Sequence, residues 1–353
     1  MHHQHETILR HFFRKMLISF AGVIGFFAAL FFLIVSLSLF FNQNDKETPE
    51  PKNKIVMLPD ANGNLKKLMH STSLILQLEI DGIIGLEELD RESIRQKLFE
   101  SRRGDLKNRI KGILLYINTP GGTVLDSDEI YRSLKEYKEE FKIPVYAYVE
   151  GLCASGGMYI ACAADKVYSS DVSIIGSVGV LLPTVMNFYD LLKSLGIDTK
   201  TITSGKFKDA LNPFRPWKEG EDEMYRNIVE HYYKQFVDIV TENRSQITRQ
   251  ELIENFGAKV FPAEQAKRYG YIDVNGASRD STLKELVIAA GIKDKEEYQV
   301  IRLEEKGGIL EYFKGASAYF TGGITHTIRI ENSVDPRLQQ HPCLYLYHPG
   351  RTF

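Results

Sequence analysis

The chain has 353 residues, and its 44 Lys and Arg residues against 46 Asp and Glu give a formal charge of -2 at pH 7. This balance provides no basic surface field, so no nucleic-acid partner is expected. The length is sufficient for one large domain or two ordinary ones, each with its own hydrophobic core.

The first predicted element is the uncharged apolar segment over residues 16–41, MLISFAGVIGFFAALFFLIVSLSLFF, which is long enough to cross a bilayer as a helix. Arg10, Arg14 and Lys15 precede it, so residues 1–15 are predicted to stay in the cytoplasm and the rest of the chain to lie on the opposite side. The alternative is a cleavable signal peptide, whose apolar region is shorter and ends in a small-x-small site. The segment ends in Leu39-Phe40-Phe41, which favours an uncleaved anchor.

Residues 42–72 are polar, contain three prolines and are predicted to form a linker. The predicted domain over residues 73–307 alternates strands and helices, which is typical of an α/β fold. Its predicted strands cover residues 73–84, 112–117, 143–149 and 197–204, and its predicted helices cover residues 126–141, 155–164, 219–242 and 282–291. The tail over residues 308–353 is not assigned a role.

A candidate nucleophile, Ser155, lies in Ala154-Ser155-Gly156-Gly157, between a predicted strand and a predicted helix. A turn of this kind can present a serine for attack, although a small residue that simply packs well is the alternative. A serine hydroxyl needs a base. His231 is the histidine that falls within residues 73–291, so a Ser-His-Asp triad would depend on it or on the tail.

The alternative base is a lysine, and Lys206 and Lys208 both lie in the stretch TSGKFKDALNPFRPW among apolar residues. Burial among apolar groups can lower the pKa of a lysine from about 10.4 towards about 7–8, where the amine accepts a proton. Composition does not choose between the two lysines, and either is otherwise a solvated surface charge.

A candidate oxyanion site is formed by Gly121 and Gly122, which follow Asn118-Thr119-Pro120 at the end of a predicted buried strand. An N–H group from this glycine pair, together with the N–H of Gly156, would supply the two backbone donors of such a site. The alternative is a turn that needs glycine at positive φ.

Cys153, Cys162 and Cys343 form no CxxC pair and no metal-ligand spacing with histidine, so no metal or cofactor is predicted. Cys153 and Cys162 flank the candidate nucleophile. They are predicted to be small buried core residues and not redox-active thiols.

Taken in order, five motifs resemble those of the signal peptide peptidase A (protease IV) family. They are residues 118–122 (NTPGG), 154–157 (ASGG), 176–180 (GSVGV), 204–208 (SGKFK, leading to Pro213-Phe214) and 263–276 (AEQAKRYGYIDVNG). The resemblance covers about residues 74–291, in a single copy. Thr119 stands where serine is commoner in the family. Met158 stands where tyrosine is frequent, which affects the expected substrate pocket.

The resemblance implies that Ser155 is the nucleophile and that Lys208, not Lys206, is the general base. It implies an oxyanion hole formed by Gly121 or Gly122 with Gly156, and it implies that Ser177 orients the lysine amine. The implied fold is of the ClpP/crotonase type, without a cofactor.

The same resemblance implies a homo-oligomeric ring in which serine and lysine can come from neighbouring subunits. The implied activity is cleavage of remnant signal peptides and other hydrophobic peptides, on the periplasmic side of a bacterial inner membrane. Two alternatives are a non-proteolytic crotonase-fold enzyme, such as an acyl-CoA hydratase or isomerase, and a membrane scaffold with an inactive site. The first would require carboxylates at the site, and the presence of both Ser155 and Lys208 argues against the second.

Overall fold

The computed structural model describes residues 3–41, 53–65, 72–86, 89–293, 297–305 and 344–346. The chain divides into two units, Met1–Pro51 and Lys52–Phe353. The described part of the first unit is the helix α1, which runs from His3 to Phe41 and includes the predicted apolar segment. Within it, Arg10–Leu33 is a span of 24 residues that contains an 18-residue window with a mean hydropathy of 2.5, which by length and composition is enough to cross a membrane.

The second unit combines a mixed sheet with helices that flank it. Its strands are β1 (Asn53–Leu58), β2 (Ser73–Ile84), β3 (Ile110–Thr123), β4 (Val145–Ala154), β5 (Lys166–Ser169), β6 (Ile174–Gly176), β7 (Val260–Pro262), β8 (Tyr298–Glu305) and β9 (Leu344–Leu346). Its helices are α2 (Arg91–Glu100), α3 (Val124–Phe141), α4 (Gly156–Ala161), α5 (Tyr189–Ser194), α6 (Glu223–Asn243), α7 (Arg249–Glu251), α8 (Ala263–Arg268) and α9 (Arg279–Ala289).

The centre of the sheet is parallel. Its order is β1-β8-β2-β3-β4-β6-β7, with β5 paired to β4 and β9 paired to β3. Strands β2, β3, β4 and β6 run in one direction, and the register places Leu76 opposite Ile113 and Leu115 opposite Ala147. β1 and β7 are antiparallel to their neighbours. The predicted α/β fold is confirmed.

The central strands are buried on both faces, which explains why their sequences are almost continuously apolar. On β2, Leu74 and Leu76 pack into a core beneath α3, α4 and α6, whereas Ile75 packs into a smaller core with Leu283 and Leu286 of α9. Side chains of a strand alternate between its faces, so a single strand contributes to both cores. Burying each such aliphatic side chain contributes about 1.5–3 kcal/mol.

The prediction of a linker over residues 42–72 is wrong at residues 53–58. Residues 53–58 form β1, which pairs with β8 from Asn53 opposite Glu305 to Leu58 opposite Val300. The amide and side chain of Asn53 also donate to Glu100 Oε2, at 3.2 and 3.0 Å. The strand partner lies almost 250 residues away, so local composition gave no sign of it.

The strand predicted over residues 197–204 does not form, and these residues are exposed. Ile202 keeps 86% of its surface in solvent. The hydroxyl of Thr199 donates to the Phe214 carbonyl at 2.6 Å, which holds the segment against a neighbouring loop instead of a sheet edge. A β-rich pattern requires a strand partner, and here it has none among the described residues.

Candidate active site

The carboxyl ends of β3, β4 and β6 meet at one edge of the sheet, because these strands are neighbours and parallel. Thr119 of β3 lies opposite Cys153 of β4, and Ala154 of β4 lies opposite Gly176 of β6. Three of the motifs singled out in the sequence are therefore brought together. Open parallel sheets bind ligands at this edge.

Ser155 connects β4 to α4 with φ of 54° and ψ of -116°, an unusual conformation for a residue with a side chain. Its N–H donates to the Gly176 carbonyl at 2.9 Å, and its own carbonyl accepts from the Tyr159 N–H at 3.0 Å. A conformation of this kind costs about 1–3 kcal/mol and is common at functional sites. The hydroxyl does not cap α4, so the strand–turn–helix geometry expected of a presented nucleophile is present.

The glycines expected to form an oxyanion site are brought together unequally. A Cβ built on Gly156 would lie 3.3 Å from the backbone nitrogen of Gly122 and 2.4 Å from Ser127 Oγ, so only glycine fits there. Gly121 has φ of 99°, and its N–H donates to Thr119 Oγ1 at 3.0 Å. Gly122 and Gly156 are therefore the adjacent pair, and the amide of Gly121 is engaged elsewhere.

Ser177 follows β6 as Ser155 follows β4, and the pairing of these strands brings the two serines to the same edge. It has φ of 57°, is buried, and its N–H donates to the Lys259 carbonyl at 2.7 Å. The predicted site residues Ser155, Ser177, Gly122 and Gly156 thus form one cluster.

Unlike the buried residues of this cluster, Lys208 is exposed. The apolar residues that the sequence placed around it are also exposed: Phe207 at 50%, Phe214 at 46% and Trp217 at 42%. The expectation that these residues bury its amine is therefore not met within one chain. Lys206, its rival, lies with Nζ 4.8 Å from the centroid of the Phe207 ring.

The loop that carries Lys208 is held by a guanidinium that the sequence analysis missed. Arg215 donates through Nε to Asp209 Oδ2 at 2.9 Å and lies 2.6 Å from Glu221 Oε1. The hydrogen bonds from Arg215 hold the pKa values of Asp209 and Glu221 below their ordinary range. The D-x5-R-x5-E spacing was the available signal, although it is visible only once the loop geometry is known.

A second missed group is the hydrogen-bonded set that anchors α4, the helix that follows Ser155. The Tyr159 hydroxyl donates to Asp128 Oδ1 at 2.7 Å, and Gln235 Nε2 donates to the same oxygen at 3.0 Å. These bonds tie α4 to α3 and α6. A buried tyrosine in a helix of small residues was the sequence signal, since a buried hydroxyl needs a partner.

The remaining candidates are two buried cysteines and an exposed histidine. Cys153 and Cys162 are buried, and desolvation raises the pKa of both thiols, that of Cys162 to about 11. The prediction that they are core residues is confirmed, and Cys343 lies outside the described residues. His231 is exposed on α6 and packs against the ring of Tyr232.

An α/β domain with a parallel centre that places a strained serine beside two glycines from neighbouring strands has the layout of a serine hydrolase. The comparisons with known proteins agree with this class.

Residues 138–293 match the family model described as peptidase family S49. A putative protease of Methanocaldococcus jannaschii is 35% identical over 239 residues, which is 67% of this chain and 73% of that protein. A putative signal peptide peptidase SppA of Enterococcus faecium is 30% identical over 217 residues, which is 60% of this chain and 62% of that protein. The chain belongs to peptidase family S49 and is a protease, as the resemblance to signal peptide peptidase A predicted.

Among solved structures, a ClpP1 mutant of Listeria monocytogenes superposes with a TM-score of 0.39 at 18% identity. The superposition covers 58% of this chain and 94% of the ClpP1 chain.

Proposed function

We propose that the chain is a membrane-anchored serine endopeptidase in which Ser155 is the nucleophile and Lys208 is the general base. The observation that carries this proposal is the position of Ser155, on a strained turn at the sheet edge, directly before Gly156 and close to the backbone nitrogen of Gly122. That is where a peptide carbonyl could meet both a hydroxyl and two N–H donors. Belonging to peptidase family S49 supports it.

In the proposed reaction, Ser155 Oγ attacks the scissile carbonyl carbon while its proton passes to the neutral amine of Lys208. The N–H groups of Gly122 and Gly156 donate to the oxyanion that develops. The resulting ammonium returns the proton to the leaving amine, which gives an acyl-enzyme. Water, deprotonated by the same lysine, then hydrolyses the ester, and Ser177 orients the amine through its hydroxyl.

The proposed base requires a second copy of the chain. A lysine that serves as a general base is held among apolar groups, whereas Lys208 is exposed in one chain. Many apolar side chains of the same segment are exposed as well, which is typical of a protein–protein interface. They are Leu181, Val185, Met186, Phe188, Leu191, Leu195, Ile197, Ile202, Phe207, Phe214, Trp217 and Met224. We propose that association of copies covers this apolar surface and desolvates Lys208 in a homo-oligomer.

The proposed substrates are extended hydrophobic peptides, including remnant signal peptides. Beyond Thr119, β3 leaves its partner β4, so Gly121–Thr123 is open on that side to another strand. There β9 of the same chain pairs antiparallel, with Gly122 opposite Tyr345. A peptide bound in the same way would pass the Ser155 turn, because strand addition is a common mode of peptide recognition.

The proposed location follows from α1. Its apolar window would anchor the chain in a bacterial inner membrane, with Arg10, Arg14 and Lys15 retained in the cytoplasm and the protease domain on the periplasmic side.

The test uses the full chain in detergent micelles with a fluorogenic hydrophobic peptide and a fluorophosphonate label. Ser155→Ala should abolish labelling and lower kcat by about 10⁴-fold or more. Lys208→Ala should lower kcat by about 10²–10⁴-fold. Lys206→Ala, the matched control two residues away, should leave activity within about twofold of wild type. Full activity of Lys208→Ala, or labelling of Ser155→Ala, would refute the proposed dyad.

A further inference from the structure

Thr119 lies beside the proposed oxyanion site and is fully buried. Its hydroxyl donates to the Gly82 carbonyl at 2.5 Å and accepts the N–H of Gly121 at 3.0 Å. One side-chain oxygen thus satisfies a carbonyl of β2 and an amide of β3 at the point where the two strands slip in register. The amide of Gly121 needs such a partner because Gly121 is buried, whereas Gly82 is exposed.

The bond to Gly121 engages one of the two backbone amides that the sequence offered on this turn for the oxyanion site. It holds Gly121 at φ of 99°, which a glycine adopts without strain, and occupies the Gly121 N–H. The next amide along the chain is that of Gly122, whose nitrogen lies beside Gly156. That bond fixes the Pro120–Gly121 peptide unit. Thr119 Oγ1 also lies 3.5 Å from the Gly121 carbonyl, which belongs to the next peptide unit, the one that carries the Gly122 N–H.

The methyl group of Thr119 contacts the other half of the site. A Cβ built on Gly157 would lie 2.5 Å from Thr119 Cγ2, so the methyl packs directly against the backbone of α4, one residue after Gly156. One side chain therefore touches both segments that supply amides. Its hydroxyl oxygen contacts the N–H and the carbonyl of Gly121, which flank the Gly122 amide in the chain, and its methyl supports the start of α4.

We infer that Thr119 is a positioning residue that holds the Gly122 and Gly156 amides in the geometry of the oxyanion hole. This inference rests on the proposed function. It assigns the hydroxyl the dominant part, because losing it would free the Gly121 peptide to rotate and leave its N–H without a partner. In this arrangement the hydroxyl and the methyl of Thr119 act on the backbone of the glycine segments and not on the reacting atoms.

The test compares three variants of the full chain in detergent micelles. Thr119→Val keeps the shape and removes the hydroxyl, and kcat should fall by about 30-fold or more with KM within about threefold. The fall in kcat should not exceed the loss of about 10²–10³-fold that is typical when an oxyanion donor is removed. Thr119→Ser keeps the hydroxyl and should retain kcat within about fivefold. Thr119→Ala also removes the hydroxyl and should show the same fall in kcat, so it replaces Thr119→Val as the test if the valine variant folds poorly.

The shape of the pH–kcat profile separates positioning from a general loss of structure. A displaced amide lowers kcat equally at every pH, so the apparent pKa values of the valine variant should match those of wild type. Thermal unfolding of each variant reports the folded fraction. Wild-type kcat in both Thr119→Val and Thr119→Ala, or a 30-fold loss in a folded Thr119→Ser, would overturn the inference.

The same assay keeps the two proposals distinguishable. Ser155→Ala is measured in parallel, and if it retains wild-type activity the proposed nucleophile is wrong. If Ser155→Ala is inactive while Thr119→Val matches wild type, only the role of Thr119 is wrong.

Discussion

The backbone nitrogen of Gly122 lies 3.3 Å from the point that a Cβ atom of Gly156 would occupy. These residues are more than thirty positions apart in the sequence, and the pairing of β3 with β4 brings them together. The relationship explains why the chain has no side chain at position 156. It also makes that position a sensitive test of the site.

Gly156→Ala should reduce kcat by about 100-fold or more, because the new methyl group would meet Ser127 Oγ at 2.4 Å and crowd the Gly122 amide. Overpacking of this kind also costs about 1–3 kcal/mol, which a lowered melting temperature would report. The double variant Gly156→Ala/Ser127→Ala removes the closest contact and should recover much of the stability but little of the activity. Recovery of full activity would mean that crowding of Ser127 alone caused the loss.

Removing residues 344–353 should lower KM for a peptide substrate by about threefold or more at constant kcat. The segment Leu344–Leu346 occupies the open edge of β3 at Gly121–Thr123, and a tethered strand competes at high effective concentration. The control lacks only residues 347–353 and keeps β9. Steady-state kinetics of both chains decide the matter, and an unchanged KM in the longer deletion would show that the tail does not compete with substrate.

Ile202→Glu should weaken self-association by about 30-fold or more, because it places a charge on the apolar surface at its most exposed position. Peptidase activity should fall with it, since Lys208 would lose its proposed cover. Val172→Glu is the matched control: Val172 is 82% exposed but lies outside residues 181–224. Sedimentation in detergent measures the mass of each variant. Equal masses for both would place the subunit interface elsewhere.

Arg215→Gln should increase hydrogen exchange over residues 205–221 and lower kcat, because Asp209 and Glu221 lose their shared partner next to Lys208. Arg226→Gln, which breaks the exposed pair with Asp222, should change neither. Since Arg215 lowers the pKa of both carboxyl groups, its stabilisation is in place above their ordinary values of 3.8 and 4.5 and is lost as the pH falls through the lowered values. Protection in wild type should therefore persist at pH 5. Its loss there would contradict the assignment.

Much of the fold could be predicted because the signals are local. The apolar runs at residues 73–84 and 143–149 become β2 and β4, since strands covered on both faces need apolar residues at nearly every position. Ile130, Leu134 and Tyr137 recur at helical spacing and form the buried stripe of α3, because one face of a helix at the edge of a core is apolar. Failures occurred where the partner is distant, as for β1, whose strand partner β8 is near the other end of the domain.

The sequence by itself determined the chemistry available: a serine among glycines, two lysines in an apolar loop, and an ordered set of motifs that leads to peptidase family S49. Only the tertiary structure decided that Gly122 lies beside Gly156, while the amide of Gly121 is bound by Thr119. It also decided that Lys208 is exposed in one chain. The physical reason is that hydrogen bonding and desolvation depend on neighbours in space, and those neighbours come from segments far apart in the chain.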